Sequence, residues 1–153
     1  MMGDRLGPDM DIAAVRRSIG GNIRRSDRIV TQFYDQVMAP SGLSGPQFGV
    51  LSSIAAAAQE APVTINGLAK LMDMDRTTLT RNLSVLVKRR LARTEEGEDR
   101  RMRLVVVTPE GEQALCWAWP LWQEAEARIV AVLGTDRRDA LLAELAAVRD
   151  AVR

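Results

Sequence analysis

The chain carries few of the groups that enzymes use to make and break bonds. It has no histidine and one cysteine, Cys116, so the commonest metal ligand and the commonest general base are both missing. The sequence also contains no Gly-rich phosphate loop, no metal-ligand cluster and no base beside the lone thiol. What it does contain is a run of hydroxyls and long cations, DRTTLTRNLSVLVK, over residues 75–88. Advancing by about 100° per residue, as a helix does, places Leu79, Leu83, Leu86 and Val87 on one face. Thr77, Arg81, Ser84 and Lys88 fall opposite, with Thr78 and Val85 at the flank. Arginine can bond guanine O6 and N7 with two N–H groups, hydroxyls reach base edges or phosphates, and a threonine methyl can meet thymine. The chemistry on offer is recognition of nucleic acid. An ordinary amphipathic helix with a solvated outer face has the same pattern, so the flanking sequence must decide.

Charge distribution favours recognition. Net charge is only +1. From Arg76 to Arg103, however, nine cations (Arg76, Arg81, Lys88, Arg89, Arg90, Arg93, Arg100, Arg101 and Arg103) face four anions (Glu95, Glu96, Glu98 and Asp99). That segment therefore carries +5, and the remainder −4. A basic segment on an acidic body is the footprint of a phosphate-binding face.

The elements that must hold this helix can be read in order. At 153 residues, with 46% apolar and 27% charged, the chain reads as one soluble globular domain with room for a core. The first residues lack the apolar run of a signal peptide, no stretch is long and apolar enough for a membrane span, and one cysteine fits a reducing cytoplasm. Ile12, Val15, Ile19, Ile23, Val30, Phe33 and Val37 recur at helical spacing over residues 9–38, with Gly20 and Gly21 weakening the helix locally. Arg16, Arg17, Arg24, Arg25 and Arg28 occupy its other face. Ala39 to Gly42 end it, and Ser44-Gly45-Pro46-Gln47 is a capping box for a second helix reaching about Ala58. Thr64 caps a short helix with Leu68 and Leu71 facing in, and Asp75 caps the cationic helix. Two short helices in tandem, the second polar and cationic outward, make a helix-turn-helix.

Leu91–Arg93 is then a possible strand and RLVVV at residues 103–107 a clear one, rich in β-branched residues. The polar residues 95–101 turn between them, forming a hairpin wing. Thr108 and Pro109 start a long helix in which Leu115, Trp119, Trp122, Ile129 and Leu133 share a face and Pro120 should cause a kink. Leu141, Leu142, Leu145, Val148 and Val152 stripe a terminal helix. The fold class is thus mainly α with a small β-hairpin wing. The first and last helices carry more apolar surface than one lobe needs, which a second copy would bury.

Taken together, these segments resemble the MarR family of winged helix-turn-helix regulators over essentially the whole length. The resemblance rests on Gly42-Leu43-Ser44 with Gln47-Phe48 and Leu51, on Leu68-Ala69, on Thr80-Arg81, and most specifically on Asp99-Arg100-Arg101, Val107-Thr108 and Gly111. Val107 departs from the family's usual leucine. The resemblance implies dimerisation helices at about 9–38 and 109–152 and a DNA-binding lobe at about 44–108. It further implies a homodimer whose two lobes grip a palindrome in double-stranded DNA, and release when a small molecule binds or a cysteine oxidises.

Residue roles follow. Arg81 is the candidate for base contact, with Thr77, Thr78 and Ser84 donating to bases or phosphates. Thr80, pointing sideways, suits a phosphate, as do Arg76 and Lys88. Arg101 matches the family position that enters the minor groove, where narrow A·T tracts concentrate negative potential, and Asp99 matches the carboxylate that orients it. Peroxide-sensing relatives use a cysteine near the N-terminus. Cys116 is not there, has no cation within three residues to stabilise a thiolate, and reads as a buried bystander. Phe33, Tyr34, Phe48, Trp119 and Trp122 either line a pocket for a small aromatic or amphipathic effector or simply pack the core. No cofactor is expected. The competing reading from a different class is a winged helix that binds protein; it has no need of a cationic segment.

Overall fold

The computed structural model describes residues 11–97 and 102–152. The chain divides into two compact units, one ending at Phe33 and the other beginning at Tyr34. The helices are α1 (Ile12–Arg17), α2 (Ile19–Met38), α3 (Gly45–Ala57), α4 (Ile65–Leu71), α5 (Arg76–Lys88), α6 (Pro109–Leu133) and α7 (Thr135–Ala151). Strands β1 (Val63–Thr64), β2 (Ala92–Glu96) and β3 (Arg103–Val107) form an antiparallel sheet with β3 in the middle. No described helix is long and apolar enough to cross a membrane.

The first unit differs from the single helix expected over residues 9–38. The break falls at Ser18, which is extended (ψ 144°), and the two glycines lie inside α2. Side-chain bonds make the break. Ser18 Oγ donates to the Val15 carbonyl at 2.8 Å and accepts from Gly21 N–H at 3.1 Å, and the Asn22 amide donates to the Arg16 and Ser18 carbonyls. Such local bonds compete with the helix ladder. A Cβ on Gly21 would lie 2.7 Å from Ser18 Oγ, so the glycine belongs to the break.

In the second unit α3 is the central element. Ser44 and Gln47 exchange the two bonds of the capping box, each at 3.3 Å. Phe48, Val50, Leu51 and Ile54 are buried, the last three completely. Leu79, Leu83 and Leu86 of α5 pack into the same core, each burial worth roughly 1.5–3 kcal/mol. Val87, expected beside them, is 37% exposed, at the margin of the arc that α3, α4 and β2 cover. Leu71 is likewise 61% exposed instead of inward. Leu68 and Ala69 fill that role in α4, and the chain turns away at Met72. α6 runs through Pro120 as one element, burying Gly111, Ala118 and Ala125 at seven-residue spacing. Cys116 lies on its other side and is exposed, not buried as expected.

The wing is more than a hairpin. β2 continues to Glu96, beyond the Leu91–Arg93 expected, because its register with β3 pairs Ala92 with Val107 and Glu96 with Arg103. β1 pairs Thr64 with Leu104 and Val63 with Val105 on the opposite edge. A knot of bonds locks this sheet to α5 and α6. Thr108, 8% exposed, donates through its hydroxyl to the Arg90 carbonyl at 2.6 Å and accepts from Gly111 N–H at 3.0 Å. Its N–H bonds the Leu91 carbonyl at 3.1 Å, and Arg90 is held at φ +60°. A Cβ on Gly111 would lie 2.0 Å from the Leu91 carbonyl oxygen and 2.8 Å from Val107 Cγ1. Gly111→Ala is therefore expected to destabilise the protein by about 1–3 kcal/mol or more. Exposed Gln113→Ala should stay within about 0.5 kcal/mol, and urea unfolding of the two variants makes the comparison.

Candidate nucleic-acid interface

The start of α5 is set by Asp75. Its carboxylate accepts Thr78 N–H at 2.9 Å and the Thr78 hydroxyl as well. These bonds, the hydroxyl first, hold the Asp75 carboxyl below the usual carboxylate range. α5 then presents Arg76, Thr77, Thr80, Arg81, Ser84 and Lys88 to solvent. All of these but Lys88 line one open groove of about 400 Å³. Lys88 is exposed at the end of the helix.

The hydroxyls are not equivalent. Thr78 is committed to the Asp75 cap. Thr80 Oγ1 donates to the Arg76 carbonyl at 2.7 Å, and Ser84 Oγ to the Arg81 carbonyl at 2.8 Å. Their protons are spent on the helix, leaving acceptor lone pairs and, for Thr80, a methyl group. Among the described residues Thr77 has no such internal partner, so its donor is free for a ligand.

The basic segment is also divided. Arg89 donates to the Gly42 carbonyl at 2.8 Å and to Gln47 Oε1 at 3.2 Å, fastening the end of α5 to the cap of α3. Arg93 pairs with Glu95 at 2.6 Å on β2. Arg76 and Arg81 form no ion pair with a described carboxylate. Asp99 and Arg101 lie outside the described residues. Arg103, counted in the basic segment but given no contact, and Asn66, not singled out by the sequence, line a second notch of about 160 Å³ with Thr64, Ile65, Arg76 and Met102. What brings the two together is the pairing of the two-residue strand β1 with β3, and β1 is too short to stand out by pattern.

The aromatic candidates form a ladder within the second unit. Phe48 stacks on Trp122 with ring centroids 6.0 Å apart, and Trp122 on Trp119 at 5.1 Å. The ladder runs from buried Phe48 (6% exposed) to half-exposed Trp119 (50%). The Tyr34 hydroxyl donates to Glu126, and burial first, then that carboxylate, push its pKa up. Phe33 is half-buried in α2 and closes the first unit.

Known proteins share this fold. The family model described as MarR family matches residues 41–102. The transcriptional regulator MosR of M. tuberculosis, solved in complex with DNA, is 34% identical with a TM-score of 0.77. That match covers 89% of this chain and 98% of MosR. The chain belongs to the MarR family of transcriptional regulators. MarR from E. coli complexed with operator DNA is 25% identical, with a TM-score of 0.77 over 88% of this chain and 96% of that one. The HTH-type transcriptional regulator YwoH of Bacillus subtilis (strain 168) is 27% identical over 99 residues, 65% of this chain and 70% of YwoH. Like its relatives, this MarR-family chain is mainly helical with a small antiparallel sheet.

The Asp75 cap has a pH signature. Its folded-state pKa is depressed, so the stabilisation is present above the unfolded value of about 3.9 and is lost as pH falls through the folded value. Asp75→Ala should lower the thermal midpoint by a constant amount between pH 7 and 5. The gap to wild type should narrow below about pH 4, which thermal melts across that range will show.

Proposed function

We propose that this chain is a homodimeric repressor that works in the cytoplasm, reads a pseudo-palindromic operator in double-stranded DNA and lets go when a small effector binds. The observation that carries this reading is the groove on α5, where Arg76, Thr77, Thr80, Arg81 and Ser84 stand together in solvent over three buried leucines. Arg81 supplies the bidentate base contact and Thr77 a free hydroxyl donor. Thr80 and Ser84 contribute acceptors, Thr80 also a methyl, and Arg76 and Lys88 neutralise phosphates. Thr78 acts through the Asp75 cap that sets the helix start. Arg101, oriented by Asp99, serves the minor groove, in keeping with the family pattern. MosR and E. coli MarR are both solved on DNA, which supports the same use here.

Dimerisation draws support from apolar side chains left in solvent in each unit. Ile12, Val15, Ile19 and Ile29 are 51–67% exposed in the first unit. Leu141, Leu142 and Val152 are 48–80% exposed in the second. The terminal segments 9–38 and 109–152 are the dimerisation arms of this reading and 44–108 the DNA-binding lobe. An aromatic or amphipathic effector suits the ladder of Phe48, Trp122 and Trp119 in the unit that also holds Tyr34. Cys116 has no part in signalling.

Two measurements test this. Sedimentation at micromolar concentration should give twice the 16.9 kDa chain mass; a species of one chain mass alone overturns the dimer. Arg81→Ala should cost about 1–3 kcal/mol per half-site and relax preference at one base pair. It should also flatten log K against log salt by no more than about one unit per lost cation. Binding titrations at three salt concentrations, against selected and scrambled duplexes, provide the readout. Unchanged binding to both would shift the function to a protein partner.

A further inference from the structure

We propose that Arg76, Arg103 and Asn66 form a clamp for a single phosphate of the DNA backbone, tying α5 to the root of the wing. The proposal rests on the DNA-reading role of α5 and adds to it a contact between the two reading elements.

Three observations converge on the notch. First, Arg76 lines both depressions, the groove on the outer face of α5 and the smaller notch beside β3. It therefore stands between a helix suited to the major groove and a wing. Second, strand alternation directs Arg103 into the same notch. Side chains at 103 and 105 share one face of β3, and Val105 on that face is 2% exposed, packed against the helices. Arg103 thus projects on the helix-facing side, one step past the edge of the core. Third, the pairing of Thr64 with Leu104 brings the start of α4 alongside and sets Asn66 on the rim.

The chemistry fits one tetrahedral oxyanion. Two guanidinium groups and a carboxamide offer only N–H donors to it, apart from the amide oxygen. Among the described residues neither arginine is in an ion pair. Glu96 is the cross-strand neighbour of Arg103, yet the two are not within ion-pairing distance. Asp75, next to Arg76, is occupied by Thr78. The notch, about 160 Å³, has the space of roughly five waters at ~30 Å³ each. That is space enough for a phosphate group. One phosphate held from both sides would fix the angle between recognition helix and wing, so that register in one groove sets register in the next.

The test uses a duplex selected by the full-length protein from a random library. It is resynthesised with one neutral methylphosphonate at each successive position of a half-site. Wild type should lose roughly tenfold or more in affinity at the clamped position, the scale of a charge-assisted hydrogen bond. Arg103→Ala and Arg76→Ala should each bind the unmodified duplex more weakly. Both should then show under about threefold further loss at that same position, and Asn66→Ala a partial loss of sensitivity there. Both arginines are exposed, and unchanged melting temperatures will verify that the variants fold. If the two arginine variants lose sensitivity at different phosphates, or at none, the clamp is wrong while DNA reading by α5 stands. If wild type selects no duplex at all, the reading of α5 fails and the clamp with it.

Discussion

Gly111 seats the first turn of α6 directly on the carbonyl of Leu91, and much of the second unit is placed by that contact. The closeness is possible only without a Cβ, since an added methyl carbon would sit 2.0 Å from the oxygen. Thr108 works at the same point: its hydroxyl holds the Arg90 carbonyl and caps α6, and its N–H takes the Leu91 carbonyl. Four events are thereby fixed together. α5 ends, the backbone turns through a left-handed Arg90, β2 begins in register with Val107, and α6 departs. Helix α5 and the wing are held at one another's ends by a single bonded knot, and the leucines of α5 then fill the core shared with α3, α4 and β2.

On this frame polar groups separate into those that hold the structure and those left for a ligand. Arg89, although part of the most basic segment, is consumed by the α3 cap. Arg93 is paired on the sheet, and Thr78 serves Asp75. A buried or self-bonded donor has already replaced its water and gains little from a new partner, whereas a solvated, unpaired one can trade water for an anion. Thr77, Arg76 and Arg81 are in the second class. The surface proposed to read DNA is accordingly narrower than the run of hydroxyls and cations suggests.

The first unit and the last helix make the opposite point about apolar groups. α7 has no buried residue, and α1 none. Ile12 and Val15 of α1 and Leu141 and Leu142 of α7 remain in solvent within one chain. Exposed apolar side chains of this kind are a feature of surfaces that meet another chain, and in the proposed homodimer they are what the second copy would cover.

How much could be read from residues alone depends on the range of the forces involved. Helix caps are local, so the Ser44–Gln47 box, the Thr64, Asp75 and Thr108 caps, and the span of β3 were all legible from three or four neighbouring residues. The hydrophobic period of α5 identified its three buried leucines and its solvent face for the same reason. Tertiary structure alone decided how far each apolar stripe is covered, leaving Val87, Leu71 and Cys116 outside, because burial depends on the width of the neighbour and not on helical phase. It decided the break at Ser18, where side-chain bonds outweighed a glycine propensity of about 1 kcal/mol per residue. And it decided β1, two residues paired across the sheet to a strand some forty positions away. No local pattern encodes that pairing, yet it carries Arg103 and Asn66 to the side of Arg76.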